Sequence, residues 1–325
     1  MCYSAEVRAD YAAFQRLFPG TRLSIKDFFA AYWKRKQQPM LRFPRAMDAL
    51  FANPTSEEER QVKALIDEFN VAQAMVHEQT LFTQRARLVD AERKLLVKET
   101  KKALNDKRVA TDKIATSLAK IEDLKRTDLK PRDARIFPGW YAPVLVMEEG
   151  ELVLKPMRYL CRPAGKPAFY DTKYPGIYNA RRDNLRNFWK GQFGHTHGLM
   201  IVNGFYENVK LHNMEHRELR PGEEPENVVL EFRPRPAQDM LIACVYSHWT
   251  PPEGSDEEDL WSFAAVTDEP PPEVADAGHD RCIIQLRPEN VETWLSPEGR
   301  TLDQLDAVLE DSIKERPYYE HRMAA

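Results

Sequence analysis

The stretch Gly198-Leu199-Met200-Ile201-Val202-Asn203-Gly204-Phe205-Tyr206-Glu207-Asn208 is a short apolar run closed by a carboxylate. Its length and its branched and aromatic side chains predict a buried β-strand. The chain from Arg132 onward repeats that texture in APVLVM (142–147), ELVLKPMRYL (151–160), NVVLEF (227–232), DMLIACVYSHW (239–249), SFAAVTD (262–268) and CIIQL (282–286), with proline and glycine between them. LDQLDAVLEDSIKE (302–315) predicts a helix near the end of the chain, and FFAAYWKRK (28–36) and AMDALF (46–51) predict short helices near its start, beside one strand. Strands that follow a helical segment, rather than alternating with helices, indicate an α+β fold with a mainly antiparallel β core and surrounding helices.

Between Pro54 and Pro131 the sequence holds no glycine and no proline, although the chain carries 13 of one and 23 of the other. Apolar residues recur there at helical spacing, as Val62, Leu65, Ile66 and Phe69 and then as Leu81/Phe82, Leu88/Val89 and Leu95/Leu96 stepping by seven. Ser56 followed by Glu57, Glu58 and Glu59 supplies a capping hydroxyl and acidic first-turn residues suited to the positive end of a helix dipole. One helix of this length would project far from a domain of ordinary size. The segment is therefore expected to fold back as an inserted long α-helical hairpin, with a turn at Asn105-Asp106. The division expected is a core of 1–54 and 131–325 and an accessory hairpin of 55–130.

At 325 residues, 42% hydrophobic and 30% charged, the chain has the composition of a globular protein. No window approaches the ~18 uninterrupted apolar residues of a membrane span, and MCYSAEVRAD lacks the layout of a signal peptide. A cytoplasmic protein is expected, nucleoid-associated if the source is prokaryotic, with no membrane partner. Cys2, Cys161, Cys244 and Cys282 form no CxxC pair, so neither a disulfide framework nor a cysteine metal site is indicated. A net charge of −4 does not announce a nucleic-acid binder, so such a role has to come from local clustering.

One cluster stands out. From Lys155 to Lys190 there are nine basic residues against Asp171 and Asp183, interleaved with Tyr159, Phe169, Tyr170, Tyr174, Tyr178, Phe188 and Trp189. Cations that neutralise phosphates beside rings on which bases stack suit single-stranded nucleic acid, while a solvated surface over core aromatics explains the composition equally well. Cys2 is the sharpest single feature. Removal of Met1 would leave an α-amine and a thiol on one residue, with ordinary pKa values of about 7.7–8.0 and 8.5, and such a 1,2-aminothiol closes on an aldehyde to a five-membered thiazolidine.

Three further segments offer partners: Asn179 in NARRDN, Glu207 in GLMIVNGFYEN and His279 in HDRCIIQL. With Met1-Cys2-Tyr3-Ser4, PGWYAPVL (138–145), Met157 to Pro163 and ACVYSHW (243–249), they run in the order of motifs in the SRAP family, the SOS response-associated peptidase proteins that cross-link to abasic sites in DNA, and the chain resembles that family. The resemblance covers the N-terminus and about 131–296. It departs at Tyr3-Ser4, where the family has Gly-Arg, at Tyr159 for a tryptophan, and at NARRD and HDRCI. It implies an SRAP-like catalytic core needing no cofactor and no metal. Cys2 would be the nucleophile toward an abasic site in single-stranded DNA, Asn179 would orient its amine, and Glu207 and His279 would move protons. Arg158, Arg162, Arg181, Tyr159 and Trp189 would hold the DNA, and the helical insertion is a candidate surface for a protein partner.

Three other readings belong beside this one. An N-terminal-nucleophile hydrolase or amidotransferase also begins with an exposed cysteine, though glycine-rich oxyanion strands are not evident. Histidine pairs His195/His197 and His212/His216 have spacings found in metal enzymes. A non-catalytic DNA-binding scaffold would keep the fold without the chemistry.

Overall fold

A computed structural model describes residues 3–255 and 257–324. Its strands are β1 (Ser4–Val7), β2 (Arg22–Leu23), β3 (Arg135–Ile136), β4 (Tyr141–Glu148), β5 (Glu151–Tyr159), β6 (Asn179–Arg181), β7 (His197–Lys210), β8 (Asn227–Arg235), β9 (Met240–Trp249), β10 (Leu260–Asp268), β11 (Cys282–Ile283) and β12 (Tyr318–Met323). Its helices are α1 (Tyr11–Leu17), α2 (Ile25–Gln37), α3 (Arg45–Asp48), α4 (Glu57–Val97), α5 (Lys101–Lys125), α6 (Tyr170–Lys173), α7 (Leu211–Met214), α8 (Pro272–Asp276), α9 (Val291–Leu295) and α10 (Leu302–Lys314). The fold is α+β. Its large sheet is mixed: most pairings are antiparallel, while β5–β10, β6–β10 and β2–β5 are parallel.

The described residues divide into two compact units. One takes in those of Met1–Ala31, Pro39–Asn53 and Lys130–Ala325, the other Tyr32–Gln38 and Pro54–Leu129, so the division falls inside α2.

In the first unit, β4 pairs with β5 and β7, β7 with β9, β9 with β10 and β10 with β5, so these five strands close on themselves and leave no edge within the ring. Period-two alternation then sorts their side chains. Val144 and Val146, Met200 and Val202, and Ile242 and Cys244 enter one apolar cluster; Leu145, Leu199, Ile201, Leu241, Ala243 and Val245 enter the other. Trp294, Leu305, Val308 and Leu309 of α9 and α10 join the second cluster, so helices cover that face. The strand and helix texture of the sequence follows from this double burial: both faces of β7 are dry, so its residues read as one apolar run.

In the second unit, α4 runs for 41 residues, about 60 Å of helix. Ser56 caps it by accepting the Glu59 N–H at 3.1 Å. The turn lies at Lys98–Thr100 rather than at Asn105-Asp106, which sit inside α5. Thr100 caps α5 through the Ala103 N–H, and Asp106 is held in helix by Arg87 at 2.5 Å. Buried residues line the two long helices at seven-residue steps, Gln84 and Ala91 on α4 and Ala103, Ala110 and Ser117 on α5; all but Gln84 are small, so the antiparallel backbones approach closely. In the same unit the Arg35 guanidinium lies 4.1 Å over the Phe69 ring.

Candidate active site

Strand β7 delivers Glu207 to the site. Glu207 shares a face with Phe205 and Val209, which belong to the first apolar cluster, and it is fully buried. β1 lies antiparallel beside it, with Ser4 opposite Tyr206. The Tyr3 N–H consequently points at the end of β7, donating to the Tyr206 carbonyl at 3.1 Å and to Glu207 Oε2 at 3.2 Å.

His279 arrives from another direction, in the turn after α8. Gly278 makes the turn with φ +91°, and a Cβ there would stand 3.0 Å from Asn213 Cβ and 3.1 Å from the Met214 backbone nitrogen, so only glycine fits. His279 Nδ1 lies 2.8 Å from the Arg281 carbonyl and 3.3 Å from the Arg281 N–H. A neutral Nδ1 cannot both donate and accept. The shorter contact puts the proton on Nδ1, because a carbonyl only accepts. Nε2 is then bare and faces Glu207 Oε2 at 3.4 Å.

Two acceptors would repel there, so a proton belongs between them. Burial pushes the Glu207 carboxyl well above its ordinary range, against the hydrogen bond from Tyr3. Burial also pushes the His279 imidazole below its own. Both shifts favour the uncharged forms, a carboxylic acid beside a neutral imidazole. Glu207 Oε1 has no hydrogen-bond partner among the described residues.

Asn179 begins β6, in parallel register with Ala265 of β10. Its side chain is buried, yet neither amide atom has a hydrogen-bond partner among the described residues. A buried amide without such partners is costly in a folded state, which singles Asn179 out within the cleft. Asn179 and His279 line one cleft of about 670 Å3, with Tyr3, Arg181, Lys210 and Arg281 on its walls. Asn179, Glu207 and His279, far apart in sequence, thus converge where the Tyr3 nitrogen begins the described chain. Cys2 lies outside the described residues. Cys161, Cys244 and Cys282 are buried, with burial pushing the Cys161 thiol up to about 12 and the other two higher, so none of these serves as a nucleophile.

The residues expected to hold DNA are placed differently. Arg158 and Arg162 both turn inward onto Asp171: Arg158 Nη1 lies 2.8 Å from Oδ2, and Arg162 donates to both oxygens at 3.2 and 2.6 Å. Burial raises the Asp171 carboxyl, and the two guanidinium groups more than reverse this and hold it below its ordinary range. Arg162 also pairs with Glu257 at 2.9 Å and stacks 4.4 Å over Trp249. Tyr159 is fully buried, stacked on Phe263 at 5.1 Å, and Trp189 is 2% exposed in the helix-covered core, so neither presents a face to a base. Arg181 alone of the five lies on the cleft, half-exposed and paired with Asp183. The cleft cations that sequence reasoning missed are Lys210 and Arg281. Arg281 was readable as the third residue of His-Asp-Arg; Lys210 gave no signal beyond ending a strand.

The histidine pairs do not form metal sites. His197 donates from Nδ1 to the Trp294 carbonyl at 2.8 Å and accepts the Gly194 N–H at 2.8 Å, and burial pushes it down to about 3. α7 ends at Met214 and His216 has φ 49°, so His212 and His216 do not share a helix face. Among the described residues no group of three or more His, Cys, Asp or Glu is arranged to hold a metal ion, and no helix is long and apolar enough to cross a membrane.

Residues 100–322 match the family described as SOS response associated peptidase (SRAP). Among solved structures, the chain is similar to a protein from Bacteroides thetaiotaomicron at 13% identity, covering 59% of this chain and 78% of that one with a TM-score of 0.47. It is also similar to a protein from Bordetella bronchiseptica at 15% identity, covering 62% and 90% with a TM-score of 0.45. A phage-related protein from the same organism matches at 18% identity, covering 61% and 84% with a TM-score of 0.42. No curated protein matches.

Proposed function

Because the chain belongs to the SOS response-associated peptidase family, we propose that it captures abasic sites in single-stranded DNA as a covalent thiazolidine on Cys2, once Met1 has been removed. The observation that carries this reading is the 3.2 Å hydrogen bond from the Tyr3 N–H to Glu207. The Tyr3 nitrogen is bonded to the Cys2 carbonyl carbon, so the carbon that bears the amine is two bonds from an atom in contact with the acid.

The chemistry balances as follows. The Cys2 α-amine adds to the C1′ aldehyde of the ring-opened deoxyribose, forming a C–N bond and a carbinolamine. Glu207, uncharged and holding a proton, gives it to the departing hydroxyl, and water leaves to give the imine. The Cys2 thiol adds to the carbon of the protonated imine, closing the ring; the nitrogen keeps its proton and the thiol proton returns to Glu207, so aldehyde and aminothiol become thiazolidine and one water. His279 takes the proton of the C1′ hydroxyl through Nε2 as the C1′–O4′ bond breaks, and gives it back to O4′, so ring opening leaves the histidine neutral. Asn179, its amide unsatisfied, orients the amine. Arg181, Lys210 and Arg281 meet the flanking phosphates.

The test is incubation of the full chain, freed of Met1, with single-stranded DNA carrying one abasic site, followed by denaturing electrophoresis beside Cys2→Ala. A heat-stable adduct absent in the variant is expected. Binding without an adduct would leave a DNA-binding scaffold, and release of ammonia from glutamine would instead mark an amidotransferase.

A further inference from the structure

Helix α4 carries apolar residues on two opposite faces. Leu81, Leu88 and Leu95 are half-buried on the side that holds Gln84 and Ala91. On the other side Met75, Phe82, Val89 and Leu96 recur every seven residues and are 63, 74, 46 and 87% exposed. Between them, four residues after each of the first three, stand Gln79, Ala86 and Arg93, with Ala72 three residues before Met75. The spacing alternates three and four over three and a half heptads, about 37 Å of helix, which is the length and repeat of a coiled-coil seam.

We propose that this face is a two-fold interface, on which α4 of a second copy of the chain packs antiparallel. An antiparallel seam sets each residue of one series against one of the other. Centred on this stripe, it places Phe82 on Ala86 of the second copy, Leu96 on Ala72, Val89 on Gln79 and Met75 on the stem of Arg93. Large side chains meet small or flexible ones in every layer, as close packing requires. A parallel seam would stack Arg93 on its own copy.

One pair of charges fits the same arrangement. Most charges around these positions are already paired within the chain, Arg87 with Asp106, Lys94 with Asp90 and Lys107 with Glu92. Glu78 and Arg93, both exposed, belong to no ion pair among the described residues. In the antiparallel seam Arg93 lies against Met75 of the second copy, one turn from that copy's Glu78, and the two-fold axis makes this pair twice. The occupant fits because the stripe is complementary to itself in both size and charge. This inference concerns the helical unit and does not depend on the chemistry of the cleft.

The test is sedimentation velocity on the full chain over a range of concentrations. A concentration-dependent dimer is expected, shifted to monomer by Phe82→Glu. Arg93→Glu should weaken the dimer at least about tenfold, and Glu78→Arg with Arg93→Glu should restore it, since exchanging both charges recreates the pair. Far-UV circular dichroism confirms that α4 persists in each variant, and Arg93→Glu, a change at the surface, carries the test even if Phe82→Glu perturbs folding. A chain monomeric at every concentration, a dimer indifferent to Phe82→Glu, or a failure of the double exchange to restore association would overturn the proposal.

Discussion

Glu207 Oε2 and His279 Nε2 stand 3.4 Å apart, both side chains removed from water, and the His279 Nδ1 proton is already committed to the Arg281 carbonyl. One proton therefore serves the facing atoms. Glu207→Gln keeps the shape and removes the transferable proton. We expect it to slow cross-link formation by about 10²–10⁴-fold, the usual worth of a positioned acid, with the melting temperature unchanged or raised. Single-turnover gel kinetics with a melting curve on the same preparation checks this; an unchanged rate would remove Glu207 from the chemistry.

The same pair sets a pH dependence of stability. The Glu207 carboxyl is raised in the folded state, so its contribution is fully present below the ordinary carboxylate pKa and is lost as pH rises through the folded value. The His279 imidazole is lowered, so its effect runs the other way: the unfolded chain takes up the proton first, and stability falls as pH drops below the ordinary imidazole value. Melting temperature plotted against pH for Glu207→Gln relative to the unaltered chain should climb from pH 5 upward. A flat difference would contradict the assignment.

Asn179 offers a separation of stability from function. Its two amide atoms have no hydrogen-bond partner among the described residues, and a buried polar group left so costs about 1–3 kcal/mol, so Asn179→Ala should leave the melting temperature unchanged or raise it. Cross-linking should fall at least about tenfold, because the amine loses its orienting partner. Loss of both in parallel would instead assign Asn179 to the scaffold.

The arginines near the site divide into two kinds. Arg181 and Arg281, on the cleft, should each lower the slope of log affinity against log salt by about 0.7 when replaced by alanine, the value for one phosphate contact on a single strand. Asp171→Ala should leave that slope alone and destabilise the fold by up to about 3 kcal/mol, since Arg158 loses its carboxylate partner and Arg162 keeps only Glu257. Titrations at several salt concentrations with urea unfolding decide between the roles.

Gly278→Ala should act through backbone alone. With φ +91° and a Cβ crowding Asn213 and Met214, it is expected to cost about 1–3 kcal/mol and to displace His279. A histidine chemical shift that moves together with the melting temperature is the expected signature.

Much of this was legible in the sequence. Strands buried on both faces announced themselves as apolar runs, and a long stretch without glycine or proline announced the two long helices. The turn between them was misplaced because Asn-Asp suits a turn and a solvated helix face equally, whereas the capping hydroxyl of Thr100 was the better mark. Ordered motifs singled out Asn179, Glu207 and His279, which the fold brings together; nothing local in the sequence says that Glu207 is fully buried, since burial arises from β1 and the α8 turn closing over it. The basic and aromatic segment misled for a physical reason. Its composition counted nine cations against two acids, but one acid, Asp171, binds two of the arginines, 9 and 13 residues away, and turns them inward.

Intact mass spectrometry of the adduct between the Met1-free chain and abasic single-stranded DNA, before and after borohydride and a thiol alkylating reagent, tests the central claim most directly. Thiazolidine capture on Cys2 gives a mass equal to protein plus DNA less one water, unchanged by borohydride, with the Cys2 sulfur no longer open to alkylation. An adduct that borohydride reduces and whose Cys2 thiol is still alkylated would be an open imine and would contradict ring closure on Cys2, and an adduct that survives Cys2→Ala would contradict the site itself.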